Sequence, residues 1–118
     1  MAENQLTTLS FEFAKMIVSI VDNVKMPNSS YMTNQFARAG TSIGANIHEA
    51  QYAHSRADFI SKLEIALKEA NETDYWLKLM KETGRISEED YTPMNKLCGS
   101  IRRLLIASCT TAKNRTSK

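Results

Sequence analysis

The chain has 118 residues, 42% of them hydrophobic and 24% charged, and carries a formal net charge of +2. That length suits one domain over 1–118 that buries its own core, which sets aside the metal- and disulfide-stapled miniature folds. Four Gly, two Pro and no cleanly alternating stretch argue against a β-rich protein and for helices.

The opening MAENQLTTLS lacks a basic start followed by an apolar block, and the longest apolar run, Met16 to Val21, is broken by Ser19. A soluble cytoplasmic protein with no membrane partner is expected. The first periodic segment, Leu6, Leu9, Phe13, Ile17, Ile20, Val21 and Val24, ends at Pro27, Asn28, Ser29 and Ser30 and predicts a helix over about 5–25. A buried strand at Ile17 to Val21 is the competing reading, but the helical period runs on to both sides.

Behind a cap at Asn28, Ser29 or Ser30, the apolar positions Met32, Phe36, Ala39, Ile43, Ile47 and Ala50 predict a second helix, 30–53. Arg38, Ser42, Asn46 and Glu49 follow the same period and make a polar ridge beside that apolar seam. Such a ridge must be paired or wet. It reads as a structural or interface network, tying helices together or spanning a subunit boundary, with a nucleic-acid or catalytic site as the alternative. Glu49 would draw its cation from another helix or subunit, because Arg38 stands about 16 Å away by helical rise. Gly40 and Gly44 each cost about 1 kcal/mol in a helix interior relative to Ala, and a close neighbouring backbone within reach of Ser42 and Asn46 is expected to offset them. Their spacing is a membrane-dimer signature only inside a long apolar span, which this helix is not.

Ser55 with Asp58 forms a capping-box start for a third helix, 55–83, carrying Phe59, Leu63, Ala66, Leu67, Ala70, Leu77 and Met80 and stopped by Gly84. Ser87 with Asp90, and Glu88 and Glu89 in the first turn, start a fourth, 88–113. Pro93 predicts a kink there, or a later start capped by Thr92. Four helices with short connections define an all-α, antiparallel up-down-up-down four-helix bundle. Cys98 and Cys109 would lie about 16 Å apart on one helix, beyond bridging distance, and read as reduced core residues.

Charge is unevenly laid out. Residues 1–90 hold nine Lys and Arg against thirteen Asp and Glu, or −4, while 91–118 hold six Lys and Arg and no acid, or +6. Clustered cations attract phosphate or acidic surfaces. On a helical wheel Lys96 and Arg103 align, with Arg102 and Lys113 about a quarter-turn away, opposite Leu97, Ile101, Leu104 and Leu105; Arg115 follows in the basic C-terminal segment. These five cations are the candidate nucleic-acid-binding residues, against the plainer reading of a solvated face. Tyr75 and Trp76 read as core and rim packing, with base stacking as the alternative. His48 and His54 lack the companions of a zinc site, and Arg38 and His48 lie too far apart for the Arg–His pair of HEPN-type helical ribonucleases. No nucleophile with a base, paired-carboxylate motif or phosphate loop is evident, so no catalytic residue, metal or cofactor is assigned and no enzyme activity is expected.

The run TSIGANIHEA followed by SRADFISKLEIALKEANETDYWL resembles the four-helix-bundle proteins encoded by intervening sequences in bacterial 23S ribosomal RNA genes. Arg38, Ser42, Ile43, Gly44, Asn46, Ile47 and Glu49, then Phe59, Leu63, Ala66, Leu67 and Leu77, carry the resemblance. Ala50, where that family usually has Gly, and HSRAD in the following turn depart from it. The resemblance implies a barrel-shaped homopentamer. Through a related accessory protein of diversity-generating retroelements, it also implies a basic surface for RNA or DNA and a reverse transcriptase as partner. The expected function is therefore a self-assembling, nucleic-acid-binding bundle, the alternative being a scaffold that docks a partner such as a reverse transcriptase.

Overall fold

The computed structural model describes the backbone of residues 2–116 and the side chains of 5–115. The helices are α1 (Ala2–Asp22), α2 (Ser30–Ala50), α3 (Arg56–Glu82) and α4 (Glu88–Thr116). Each packs against its sequence neighbour and α4 closes on α1, so the four form one antiparallel ring in an all-α four-helix bundle. Among the described residues, no helix is long and apolar enough to cross a membrane.

The helix ends follow local chemistry more closely than the hydrophobic period does. α1 stops at Asp22 rather than near 25, and Val24 packs on the core from the loop. α2 stops at Ala50 rather than 53, because the amides of Gln51, Tyr52 and Ala53 each bond three residues back, tightening the last turn. Ser29 precedes α2 but does not cap it with its side chain. Its buried hydroxyl instead donates to the Met26 carbonyl at 2.6 Å and accepts from Arg85 Nε at 2.9 Å, joining two loops at one end of the bundle.

α3 starts as its sequence predicts: the Ser55 hydroxyl accepts from the Asp58 amide at 3.1 Å, and the Asp58 carboxylate accepts from the His54 amide at 3.3 Å. At the far end the Gly84 amide bonds Lys81 O and the Arg85 amide bonds Met80 O, with Gly84 at φ +77°. This double closure requires a left-handed residue, which glycine supplies without strain. In α4, Ser87 Oγ accepts from the Asp90 amide at 3.1 Å and the helix runs unbroken through Pro93. Pro93 and Glu89, whose carbonyl it cannot serve, are both exposed, so the lost bond falls on the wet side.

The core is the union of the four apolar seams, with Leu6, Phe13, Ile17, Phe36, Ile43, Ile47, Leu63, Leu77, Met80, Met94, Ile101 and Leu105 fully buried. Cys98 and Cys109 are free buried thiols. Burial pushes the Cys98 thiol up to about 11.

Candidate nucleic-acid interface

Three surfaces flank this core. The first is the polar ridge of α2. Arg38 leaves its own helix and reaches α3, where it donates to the Glu69 carboxylate at 3.3 Å and to Glu72 at 2.5 Å. Trp76 Nε1 donates to the same Glu72 oxygen at 3.1 Å, which turns the half-buried indole into part of the α2–α3 seam. The Arg38 guanidinium, then the indole N–H, hold the Glu72 carboxyl below its ordinary range. Ser42 and Asn46 bond within α2, Ser42 Oγ to Arg38 O at 2.6 Å and Asn46 Nδ2 to Ser42 O at 2.9 Å. Glu49 is exposed, and no cation from another helix reaches it among the described residues.

The second surface is the α1–α2 groove. Gly40 and Gly44 lie against α1 of the same chain: a Cβ on Gly40 would collide with the Ile17 side chain, and one on Gly44 would meet Ser10 at 3.4 Å. The close approach expected from these glycines is therefore intramolecular, while Ser42 and Asn46 serve carbonyls of their own helix. Beside it runs a mainly apolar groove of about 440 Å³, bordered by Thr7, Phe11, Ala14, Ala45 and His48. Phe11, 64% exposed, and Val18, 54% exposed, continue the stripe along α1. Sequence reasoning passed over it, although Thr7, Phe11, Ala14 and Val18 recur at helical spacing as a second apolar stripe beside the core-facing one.

The third surface is a shallow depression of about 450 Å³ between α3 and α4, lined by Asp74, Lys78, Asn95, Lys96, Gly99, Arg102 and Arg103. It brings together three of the five cations singled out in the sequence and adds Lys78, which an α4 wheel alone cannot reveal. Asp74, the acid of the lining, is engaged by Lys78 at 2.9 Å. The α4 cations have neutral partners: Arg102 Nε donates to Asn71 Oδ1 at 2.9 Å and Arg103 to Ser100 Oγ at 3.2 Å. Lys96 is exposed. By contrast Lys15, Arg38, Lys81 and Lys113 each meet a carboxylate, Lys113 that of Glu64 at 2.5 Å. Lys113 and Arg115 lie outside the depression, toward the α4 C-terminus. Lys118, counted in the +6, lies outside the described residues. Around Gly99, then, three cations keep their charge for an outside anion.

These features define a class: an antiparallel four-helix bundle with a cationic depression on its α3–α4 side and an apolar groove on its α1–α2 side. The chain matches the family described as 23S rRNA-intervening sequence protein over residues 2–107 and belongs to that family. It is also similar to the crystal structure of a protein with unknown function from the S23 ribosomal protein family of Bacteroides thetaiotaomicron VPI-5482. That likeness has 47% identity and a TM-score of 0.85 and covers 93% of this chain and 99% of the other. No curated protein matches the chain.

Proposed function

We propose that this protein binds the phosphodiester backbone of structured RNA through the α3–α4 depression, and that several copies act together. The observation that carries the reading is the set Lys96, Arg102 and Arg103 around one depression, none of them paired with a carboxylate, while the depression's one acid, Asp74, is engaged by Lys78. Acid-free cations clustered on one face gain counterion-release free energy when phosphate displaces their counterions. Three contacts give weak binding, with a slope of log K against log salt of about −2 on single strands and nearer −3 on duplex.

Self-association supplies the missing strength, since linked weak sites gain avidity without new contacts. The exposed Phe11 and Val18 beside the α1–α2 groove support a second copy as its occupant. The resemblance read in the sequence implies five copies, a ring in which the groove of one copy receives a different face of the next.

Electrophoretic mobility shifts of a structured RNA across a salt series, with light scattering on the same samples, test both parts. Retardation should weaken steeply with salt and be lost when Lys96, Arg102 and Arg103 are changed together to Ala. Absent or salt-insensitive binding, or binding unchanged in that triple variant, refutes the reading. A monomer at micromolar concentration refutes self-association.

A further inference from the structure

Glycine is the poorest helix former after proline, so each helical glycine calls for a reason. Gly40 and Gly44 have one in the approach of α1, and Gly84 has one in its positive φ. Gly99 has neither. It lies well inside α4 (Glu88–Thr116), and a Cβ built on it would meet, among the described residues and within 4 Å, only the flexible tip of Arg103, Nη1, at 3.4 Å. No atom of α3 comes that close. Nothing among the described residues therefore requires the side chain to be absent, and the fold would gain from Ala at this position.

Gly99 is also flanked by charge. Lys96 and Arg103 are one turn away on either side, Arg102 lines the same depression, and Asp74 with Lys78 forms the opposite wall. A bare stretch of helix backbone between cations lets a bulky, extended anion come closer than any side chain would allow.

We infer that Gly99 is the seat of the ligand: one sugar–phosphate unit of the bound strand rests on the α4 backbone there, with its phosphate oxygens reaching Arg103 and Lys96 on one side and Arg102 on the other. This inference rests on the nucleic-acid reading above and adds to it the point of contact. The pairing of Lys78 with Asp74 leaves the α3 wall without net charge, so the phosphate meets its cations on the α4 side.

The test is fluorescence anisotropy of a labelled RNA hairpin with the wild type, Gly99→Ala, Gly99→Leu, the Arg102→Ala/Arg103→Ala double variant and Thr110→Leu, each also melted thermally. Thr110 is exposed on α4 and outside the depression, so Thr110→Leu adds bulk without touching the seat. Gly99→Ala should melt roughly 3 to 5 °C higher and bind about fivefold more weakly. Gly99→Leu should stay folded and bind at least twentyfold more weakly, while Thr110→Leu should bind as the wild type does. If the double variant loses binding but both Gly99 variants keep it, the seat is wrong and the nucleic-acid reading stands. If Gly99→Ala melts lower than the wild type, the glycine serves the fold and the inference falls. A wild type with no salt-dependent binding sinks the reading beneath it.

Discussion

Exchanging one methyl group between α1 and α2 tests why Gly40 is a glycine. Gly40→Ala restores about 1 kcal/mol of helix propensity. The new methyl, however, would lie inside van der Waals contact of Ile17 Cδ1 and 3.3 Å from Ile17 Cγ1. Ile17 is 0% exposed, so its displaced end has no solvent to enter, and overpacking of this kind costs about 2 kcal/mol. The net loss for Gly40→Ala is about 1 kcal/mol. Ile17→Val alone removes the obstructing Cδ1 and costs about 1 kcal/mol through the void it leaves. In the double variant the methyl on residue 40 fills the space vacated at residue 17, so clash and void cancel while the propensity gain remains. The double variant should exceed the wild type by up to about 1 kcal/mol, against an additive loss of about 2 kcal/mol. Urea unfolding of the four proteins at one concentration, followed by circular dichroism and Trp76 fluorescence with coincident transitions, measures the coupling. Additivity within about 0.5 kcal/mol would show that α1 does not demand the glycine.

Three further outcomes follow from individual contacts. Arg38→Ala should cost about 0.5 kcal/mol at neutral pH, since both partners are partly solvated, and Arg38→Lys should not restore a contact made to two carboxylates. Because Arg38 and the Trp76 indole depress the Glu72 pKa, its contribution is present above the ordinary value of 4.5 and lost as pH falls through the lower folded value; NMR titration of Glu72 should move up toward 4.5 in Arg38→Ala. Ser108 Oγ is buried with no hydrogen-bond partner among the described residues, so Ser108→Ala should raise stability by about 1 kcal/mol in thermal unfolding, and a loss would mean that the hydroxyl is satisfied in solution. Phe11→Asp should leave the helical circular dichroism unchanged, lower the mass seen by light scattering and weaken RNA retention without altering α4; an unchanged mass would exclude the α1–α2 face as the contact between copies.

What was legible in the sequence is what period and local chemistry dictate. The seams Phe36, Ala39, Ile43, Ile47 and Leu63, Ala66, Ala70, Leu77 are buried as the 3.6-residue repeat requires, and Ser55, Gly84 and Ser87 close helix ends through bonds to near neighbours. Register between helices was not legible, because it depends on how far one rod slides along another. Hence the wheel of α4 gave Lys96, Arg102 and Arg103 but not Lys78, and Lys113 stood in the same stripe without any sign of Glu64. The ridge of α2 was legible only in part for a related reason. Its spacing is that of a shared face, yet Arg38 reaches α3 while Ser42 and Asn46 turn inward on their own carbonyls. Pro93 was a third case: only its exposure decides between kink and continuity.

The placement of acids on α3 explains why its two flanks behave differently. Toward α2 it presents Glu69 and Glu72, which neutralise Arg38 and close that seam. Toward α4 it presents Glu64, which takes Lys113 near the end of that helix, and, beside the depression, Asp74, already engaged by its own Lys78, with the neutral Asn71 that holds Arg102 in place. An amide at position 71 orients a guanidinium without cancelling its charge, so Arg102 stays available to an outside anion; Asn71→Asp would convert it into a second Arg38. In a ring ordered α1, α2, α3, α4, the α1–α2 groove and the α3–α4 depression lie on opposite sides. In the proposed assembly, a groove that receives any face of the next copy other than the α3–α4 side leaves the depression open. Assembly and phosphate binding then do not compete for surface, and each added copy should steepen the salt dependence by about the same increment.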